Sequence, residues 1–83
     1  MLSPTPSPTL DRLQPGESAT IIDLRGDTEL IHRLTALGVR AGKCVQVLRR
    51  AAFAGPLHIR VGTTDLMLRL SEACCVGVTS ARC

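Results

Sequence analysis

Residues 27–42 read DTELIHRLTALGVRAG and decide the fold of this chain. Asp27 is a good N-cap, and Gly38 suits the left-handed backbone position that follows the end of a helix. Between them, apolar side chains recur at the spacing of one helix face. The pattern predicts one amphipathic α-helix over about residues 27–37. Its core side chains are predicted to be Leu30, Leu34 and Leu37.

Strand patterns lie on both sides of this helix. Short segments that are rich in β-branched residues, or that alternate apolar and polar residues, are typical of strands when turn residues border them. The predicted strands are residues 18–24, 44–50, 57–61, 66–70 and 76–79. Short antiparallel strands in this number curl into a small barrel, because closure removes exposed edges. The sequence therefore predicts a mainly β fold, a small barrel of about five antiparallel strands with one inserted α-helix.

The chain has 83 residues, enough for one domain. Residues 1–9 are rich in proline, serine and threonine and are predicted to form a disordered tail, while residues 10–83 form the domain. Phe53 is the only aromatic residue, so the core must be aliphatic. We expect Phe53 to plug one end of the barrel, and the alternative is an exposed anchor for a partner.

Positive charge is concentrated in the middle of the chain. The formal net charge is +3, and residues 30–64 contain no acidic residue. The cations of this segment are Arg33, Arg40, Lys43, Arg49, Arg50 and Arg60. Such a segment attracts phosphate, an anionic membrane surface or an acidic protein patch. A solvated face without a partner is an equally good interpretation of the same pattern.

Nucleic acid is one partner to weigh. His58, Arg60 and Arg69 are predicted on the outward faces of neighbouring strands, and a small basic barrel can follow a phosphate backbone. Proteins that bind single strands add aromatic stacking platforms, however, and this chain has a single aromatic residue. Nucleic acid is therefore the less favoured partner.

No catalytic or metal-binding set is recognisable in the sequence. There is no Ser-His-Asp or Cys-His arrangement and no phosphate-binding glycine loop, so an enzyme is not expected. The cysteines are Cys44, Cys74, Cys75 and Cys83. They lack the spacing of a zinc site, and the adjacent pair at 74 and 75 is expected to point in different directions and to chelate poorly.

The chain shows no signal-peptide pattern, and no apolar run approaches the roughly 20 residues that cross a bilayer. The sequence therefore predicts a cytoplasmic protein with reduced thiols and no membrane insertion.

The order of these motifs resembles the FeoA family, small cytosolic components of bacterial ferrous-iron uptake. The resemblance covers Leu10 to about Val78 and departs from the family pattern in the loop at residues 51–54. The motifs that carry it are Leu10-x-x-Leu13-x-x-Gly16, Arg33-Leu34-x-x-Leu37-Gly38-Val39-x-x-Gly42, Gly55-Pro56-Leu57-x-Ile59-x-Val61 and Leu68-Arg69-x-x-Glu72-Ala73-x-x-Val76-x-Val78.

The resemblance implies an SH3-like β-barrel with a non-enzymatic accessory role. FeoA-like proteins act with FeoB, a membrane iron transporter whose cytosolic part contains a GTPase domain. The implied function is docking to that part and modulating transport, with recruitment to the inner face of the membrane. Family-level descriptions also imply binding of Fe²⁺ or another divalent transition metal. The alternatives are a nucleic-acid-binding module and a metal-sensing regulatory domain.

The predicted partner surface is the exposed side of the helix together with the two loops that follow. It is basic and has one apolar anchor, which suits an acidic partner. Its residues are Arg33, Arg40, Lys43, Phe53 and Pro56.

Overall fold

The structure, a computed structural model, describes residues 8–53 and 55–79. A single 3₁₀ turn at Leu10–Arg12 precedes the first strand. The strands are β1 (Ser18–Leu24), β2 (Cys44–Arg50), β3 (Leu57–Val61), β4 (Thr64–Leu68) and β5 (Val76–Val78). Helix α1 (Thr28–Ala36) follows β1, and the short helix α2 (Leu70–Ala73) follows β4. The predicted set of five strands with one inserted helix is confirmed.

The strands form one antiparallel sheet in the order β4-β3-β2-β1-β5. The first half of β1 pairs with β2 and its second half pairs with β5, with an irregular register between Ile21 and Asp23. Irregularities of this kind bend a strand, so β1 contributes to two parts of a curved sheet. Among the described residues, no hydrogen-bonded pair joins β4 to β5, and the sheet is curved without being closed.

The outer edge of β5 is covered by the chain just before the 3₁₀ turn. Thr9 forms a β-bridge with Gly77, and the Val78 N–H donates to the Pro8 carbonyl at an N···O distance of 2.9 Å. These contacts satisfy backbone groups that an edge strand otherwise presents to solvent. Pro8 and Thr9 are thus part of the folded domain, and the remainder of the predicted tail lies outside the described residues.

The core is aliphatic, as the composition predicts. Its fully buried large side chains are Leu10, Ile21, Leu34, Val39, Val45, Val47, Leu57, Ile59, Leu68, Val76 and Val78. Leu30 is partly buried against this cluster. The cluster lies between the sheet, α1 and the 3₁₀ turn, so one face of α1 is fixed against the strands.

The ends of α1 follow the predicted chemistry. Asp27 accepts a hydrogen bond from the Leu30 N–H at 2.8 Å, which is the N-cap. At the other end, Gly38 has φ 98° and the Val39 N–H donates to the Leu34 carbonyl at 2.9 Å, as in a Schellman motif.

The prediction that Leu37 is a core residue was wrong, because its side chain is 41% exposed. Leu37 is the C-cap of α1, and the reversal of the chain at Gly38 turns Val39 into the core instead. The predicted bounds of β4 were also shifted. A two-residue turn at Gly62 and Thr63 places Thr64 opposite Val61, so β4 begins and ends two residues earlier than predicted.

Candidate functional site

The loop between β2 and β3 carries a fully exposed aromatic side chain. Phe53 is 101% exposed, and its φ of 58° lies in the left-handed region that a bulky residue rarely adopts. The prediction that Phe53 plugs the barrel was wrong, because the loop projects beyond Arg50 and Leu57, the last paired residues of the two strands. Backbone strain of this kind is concentrated at functional sites.

A groove of about 360 Å³ lies beside this loop. It is lined by Arg49, Arg50, Ala51, Pro56, His58 and Met67. Arg49 is opposite His58, and His58 is opposite Met67, so these side chains come from adjacent positions on three neighbouring strands. Met67 is 62% exposed and supplies apolar surface to the same groove as Arg49. We call the surface formed by Arg49, Ala51, Phe53, Pro56 and Met67 the loop face.

The two arginines of this groove differ in the contacts that they make within the chain. The guanidinium of Arg50 donates to the backbone carbonyls of Asp11 and Leu13, at 2.6 Å and 2.9 Å. Arg49 is exposed and forms no ion pair with any residue of the described ranges. Arg49 is therefore the cation of the loop face that a partner can engage without breaking a contact within the chain.

A second groove, of about 300 Å³, lies at the opposite end of β2. Arg40 and Lys43 line it together with the turn at Gly62 and Thr63. We call these four residues the turn face. Lys43 immediately precedes β2 and the loop with Phe53 follows it, and a seven-residue strand is about 20 Å long. The structure therefore divides the predicted partner residues between two separate surfaces.

Arg33, the fifth predicted partner residue, is engaged within the chain. Its guanidinium forms an ion pair with the carboxylate of Glu72, which is only 8% exposed. The same carboxylate accepts a hydrogen bond from the Arg69 N–H at 2.9 Å and so caps α2. Glu72 thus joins the two helices. Glu72 has the position of the glutamate in a capping box, but Arg69 replaces the usual Ser or Thr at the N-cap, so the sequence carried only half of that signal.

The outward cations proposed for nucleic-acid binding lie next to an acid. The Arg60 guanidinium donates to both carboxylate oxygens of Asp65, at 2.7 Å and 3.3 Å. The His58 Nε2 lies 3.7 Å from the same carboxylate. The hydrogen bonds from Arg60 hold the pKa of Asp65 below its ordinary value. An anion paired with these cations weakens the attraction of this face for phosphate, which disfavours the nucleic-acid alternative.

The lowered pKa of Asp65 predicts a pH dependence of stability. A depressed carboxyl pKa contributes stability above the pKa of the unfolded chain, about 3.9, and this contribution is lost as the pH falls through the folded-state value. We therefore expect Asp65→Asn to melt slightly below the wild type at pH 7, with the gap closing between pH 5 and pH 2. Thermal melts across this pH range check the result. The matched variant is Arg60→Gln, which removes the other partner of the ion pair. A gap that stays constant with pH would contradict the pairing.

The cysteines differ in state. Cys74 and Cys75 are free thiols, whereas Cys44 is disulfide-bonded, so the prediction of reduced thiols was wrong for Cys44. Within the two described ranges, no group of three or more His, Cys, Asp or Glu side chains is placed to hold a metal ion. A search of the same residues finds no helix with the length and apolarity of a membrane span.

Residues 9–80 match the FeoA domain. No protein with curated annotation matches the chain. Among solved structures, FeoA of Stenotrophomonas maltophilia in complex with zinc is 30% identical, with 90% of this chain and 100% of that one covered and a TM-score of 0.71. That protein is described as a prokaryotic SH3 domain protein. The predicted SH3-like fold is confirmed by this similarity.

Two further structures are similar. FeoA of Chlorobium tepidum is 27% identical over 86% of this chain and 68% of that one, with a TM-score of 0.80. A manganese-dependent transcriptional repressor is 22% identical over 94% of this chain, with a TM-score of 0.83. This chain spans only 44% of the repressor's length, and at this identity the likeness shows the fold alone.

Proposed function

Since this chain belongs to the FeoA family, which is linked to ferrous-iron transport, we propose that it is a non-enzymatic accessory protein of ferrous-iron uptake. In this role it docks on the cytosolic part of a FeoB-type membrane transporter and modulates transport. The protein acts in the cytoplasm, and its partner recruits it to the inner face of the membrane. The observation that carries this proposal is the loop face, where Phe53 is fully exposed in the loop beyond the last paired residues of β2 and β3.

The chemistry of the loop face suits an acidic protein partner. Exposed aromatic side chains supply large apolar contact area and are enriched among the residues that dominate interface energies. Phe53 and Met67 provide such an area, and Arg49 adds a positive charge that no carboxylate of the described residues neutralises. Charge complementarity across an interface adds specificity and raises the association rate.

The turn face and Arg33 have smaller parts in this proposal. Arg40 and Lys43 are exposed cations that steer the same acidic partner, but their groove has no large apolar side chain to anchor it. Arg33 would have to release Glu72 before it could bind a partner carboxylate. We therefore assign the anchoring role to Phe53 and Pro56, and a steering role to Arg40 and Lys43.

We propose a docking mode that does not use a metal ion bound to this chain. The zinc bound to FeoA of S. maltophilia supports a role for a divalent transition metal within the family. In the part of this chain that the structure describes, no cluster of three ligands is available for Fe²⁺ or a similar ion. Hard and intermediate divalent ions require several oxygen or nitrogen donors. In this proposal, ferrous iron is the cargo of the transporter.

We expect Phe53→Ser to weaken docking at least about tenfold, because truncating an interface hot spot typically costs about 2 kcal/mol or more and tenfold corresponds to about 1.4 kcal/mol. The measurement is the Kd for the isolated cytosolic part of the FeoB-type transporter from the same organism, by calorimetry. Arg49→Glu should also weaken binding, mainly through a slower association.

Two variants control this experiment. Ile22→Ser removes a partly exposed apolar side chain, 38% exposed, from β1, away from the loop face, and should leave the Kd unchanged. Phe53→Gly removes the aromatic ring and also relieves the left-handed strain, so it should lose docking with no fall in melting temperature. If Phe53→Ser binds like the wild type, the loop face is not the docking surface. If the wild type itself does not bind, the partner is wrong.

The metal-sensing alternative rests on the repressor likeness, which shows the fold alone. The nucleic-acid alternative is tested by the salt dependence of binding to DNA or RNA, which should be steep for a phosphate-binding surface.

A further inference from the structure

The thiols of Cys74 and Cys75 converge on one oxygen atom. The Sγ of Cys74 lies 3.1 Å from the Ser71 carbonyl oxygen, and the Sγ of Cys75 lies 3.6 Å from the same atom. Both cysteines are free thiols, with Cys74 exposed and Cys75 half-buried. The sequence-based expectation that the two adjacent side chains point in different directions is therefore wrong for this pair.

The end of α2 explains this convergence. Cys74 keeps a helical backbone, with φ −70° and ψ −9°. The Cys75 N–H donates to the backbone carbonyl of Glu72, three residues earlier, and this hydrogen bond tightens the last turn. Carbonyls of the last turn have no intrahelical donor. Side chains three and four residues later share their face and can reach back to them. Cys74 and Cys75 stand at these two positions relative to Ser71.

The Cys75 side chain packs against Gly26 and lies near charges of both signs. A β-carbon at Gly26 would lie 3.5 Å from the Cys75 Sγ, and both the Asp27 carboxylate and the Arg25 guanidinium act on this thiol. Burial raises the pKa of the Cys75 thiol, and the adjacent Cys74 thiol and the Asp27 carboxylate raise it further. A cation bound between the two sulfur atoms would remove the repulsion between two adjacent thiolates.

We propose that Cys74 and Cys75 form a two-thiolate site for a soft monovalent metal cation, with cuprous copper as the ion that fits best. Thiolate ligands favour Cu⁺, zinc and iron–sulfur clusters, and of these Cu⁺ is the ion that two soft donors can satisfy. Zinc sites take four ligands, and the described residues provide no third His, Cys, Asp or Glu ligand at this pair. This proposal does not depend on docking to a transporter.

The binding step conserves charge and oxidation state. Each thiol loses its proton to solvent, two Cu–S bonds form, and copper remains Cu⁺. Nothing is oxidised or reduced, so no further reactant is needed. The Ser71 carbonyl gives up its two S–H donors on binding and is free to accept from water, because Cys74 is exposed.

The test is an anaerobic titration of the folded full-length chain, reduced beforehand, against the coloured complex of Cu⁺ with bicinchoninate. We expect the wild type to withdraw one equivalent of Cu⁺. Cys74→Ser and Cys75→Ser should each weaken binding at least tenfold, because one thiolate is lost. The matched control is the double variant Cys44→Ser/Cys83→Ser, which leaves residues 74 and 75 as the chain's remaining cysteines and should bind like the wild type.

A second readout is the melting temperature. A ligand that binds only the folded state stabilises it, so Cu⁺ should raise the melting temperature of the wild type and not of Cys74→Ser/Cys75→Ser. The proposal is overturned if the reduced wild type withdraws no Cu⁺. It is also overturned if the 74/75 variants bind as well as the wild type, or if binding follows residues 44 and 83 instead.

Discussion

Replacing Leu34 with alanine is expected to lower the free energy of unfolding by about 2–5 kcal/mol. Leu34 is completely buried in the last turn of α1, and its carbonyl also accepts the Val39 N–H at the helix end. Truncation would leave a cavity between α1 and the sheet that the surrounding aliphatic side chains can fill only in part. For a domain of this size, a loss of 1 kcal/mol lowers the melting temperature by about 4–8 °C.

The same helix offers a matched control for this variant. Leu37→Ala makes the same chemical change three residues later, but this side chain is 41% exposed. We expect it to cost about 1 kcal/mol, less than Leu34→Ala, since a substantial part of the Leu37 side chain already contacts water. Thermal melts of both variants give the comparison. Equal losses for Leu34→Ala and Leu37→Ala would show that the buried face of α1 has been assigned incorrectly.

Replacing Glu72 with alanine is expected to cost about 2–3 kcal/mol. The substitution removes the ion pair with Arg33 and leaves the Arg69 N–H without its acceptor. Hydrogen bonds to charged groups contribute about 1.5–3 kcal/mol each, and a buried polar group without a partner adds a further penalty. Urea unfolding curves at pH 7 measure the change in free energy.

Glu72→Gln separates the two contributions of this side chain. The amide oxygen of glutamine can still accept from the Arg69 N–H, but the charge that pairs with Arg33 is gone. We expect Glu72→Gln to lose only about half of what Glu72→Ala loses. Arg33→Ala should resemble Glu72→Gln, because it breaks the same ion pair from the exposed side. If all three variants are as stable as the wild type, the link between α1 and α2 carries no stability.

Local sequence patterns were sufficient to predict most of the fold. The N-cap at Asp27, the glycine stop at Gly38 and the alternation of apolar residues in β3 depend on neighbours in the chain, and the structure has them where they were predicted. Leu37 was wrongly predicted to be a core residue. The Schellman turn reverses the chain after Leu37, so the side chain of Val39 enters the core in its place. Such an exchange depends on the exact residue at which the helix ends, which periodicity does not specify.

The candidate sites could be predicted only in part. The separation of Lys43 from Phe53 follows from the length of β2 and could have been inferred from the sequence. The pairing of Arg33 with Glu72 could not, because it joins residues 39 positions apart through the packing of two helices. The convergence of Cys74 and Cys75 also depends on an irregular helix end, where the usual rule for adjacent side chains does not hold.

The contact of Pro8 and Thr9 with β5 affects where this protein can be shortened. The recognisable motif begins at Leu10 and the family match at residue 9, so a truncation guided by the motif alone would start at Leu10. Such a shortened chain would lose the backbone partners of Gly77 and Val78, and the outer edge of β5 would be unpaired. An unpaired edge strand can form backbone hydrogen bonds with another chain, and such pairing leads to aggregation. The solubility of the domain thus depends on two residues that precede its motif.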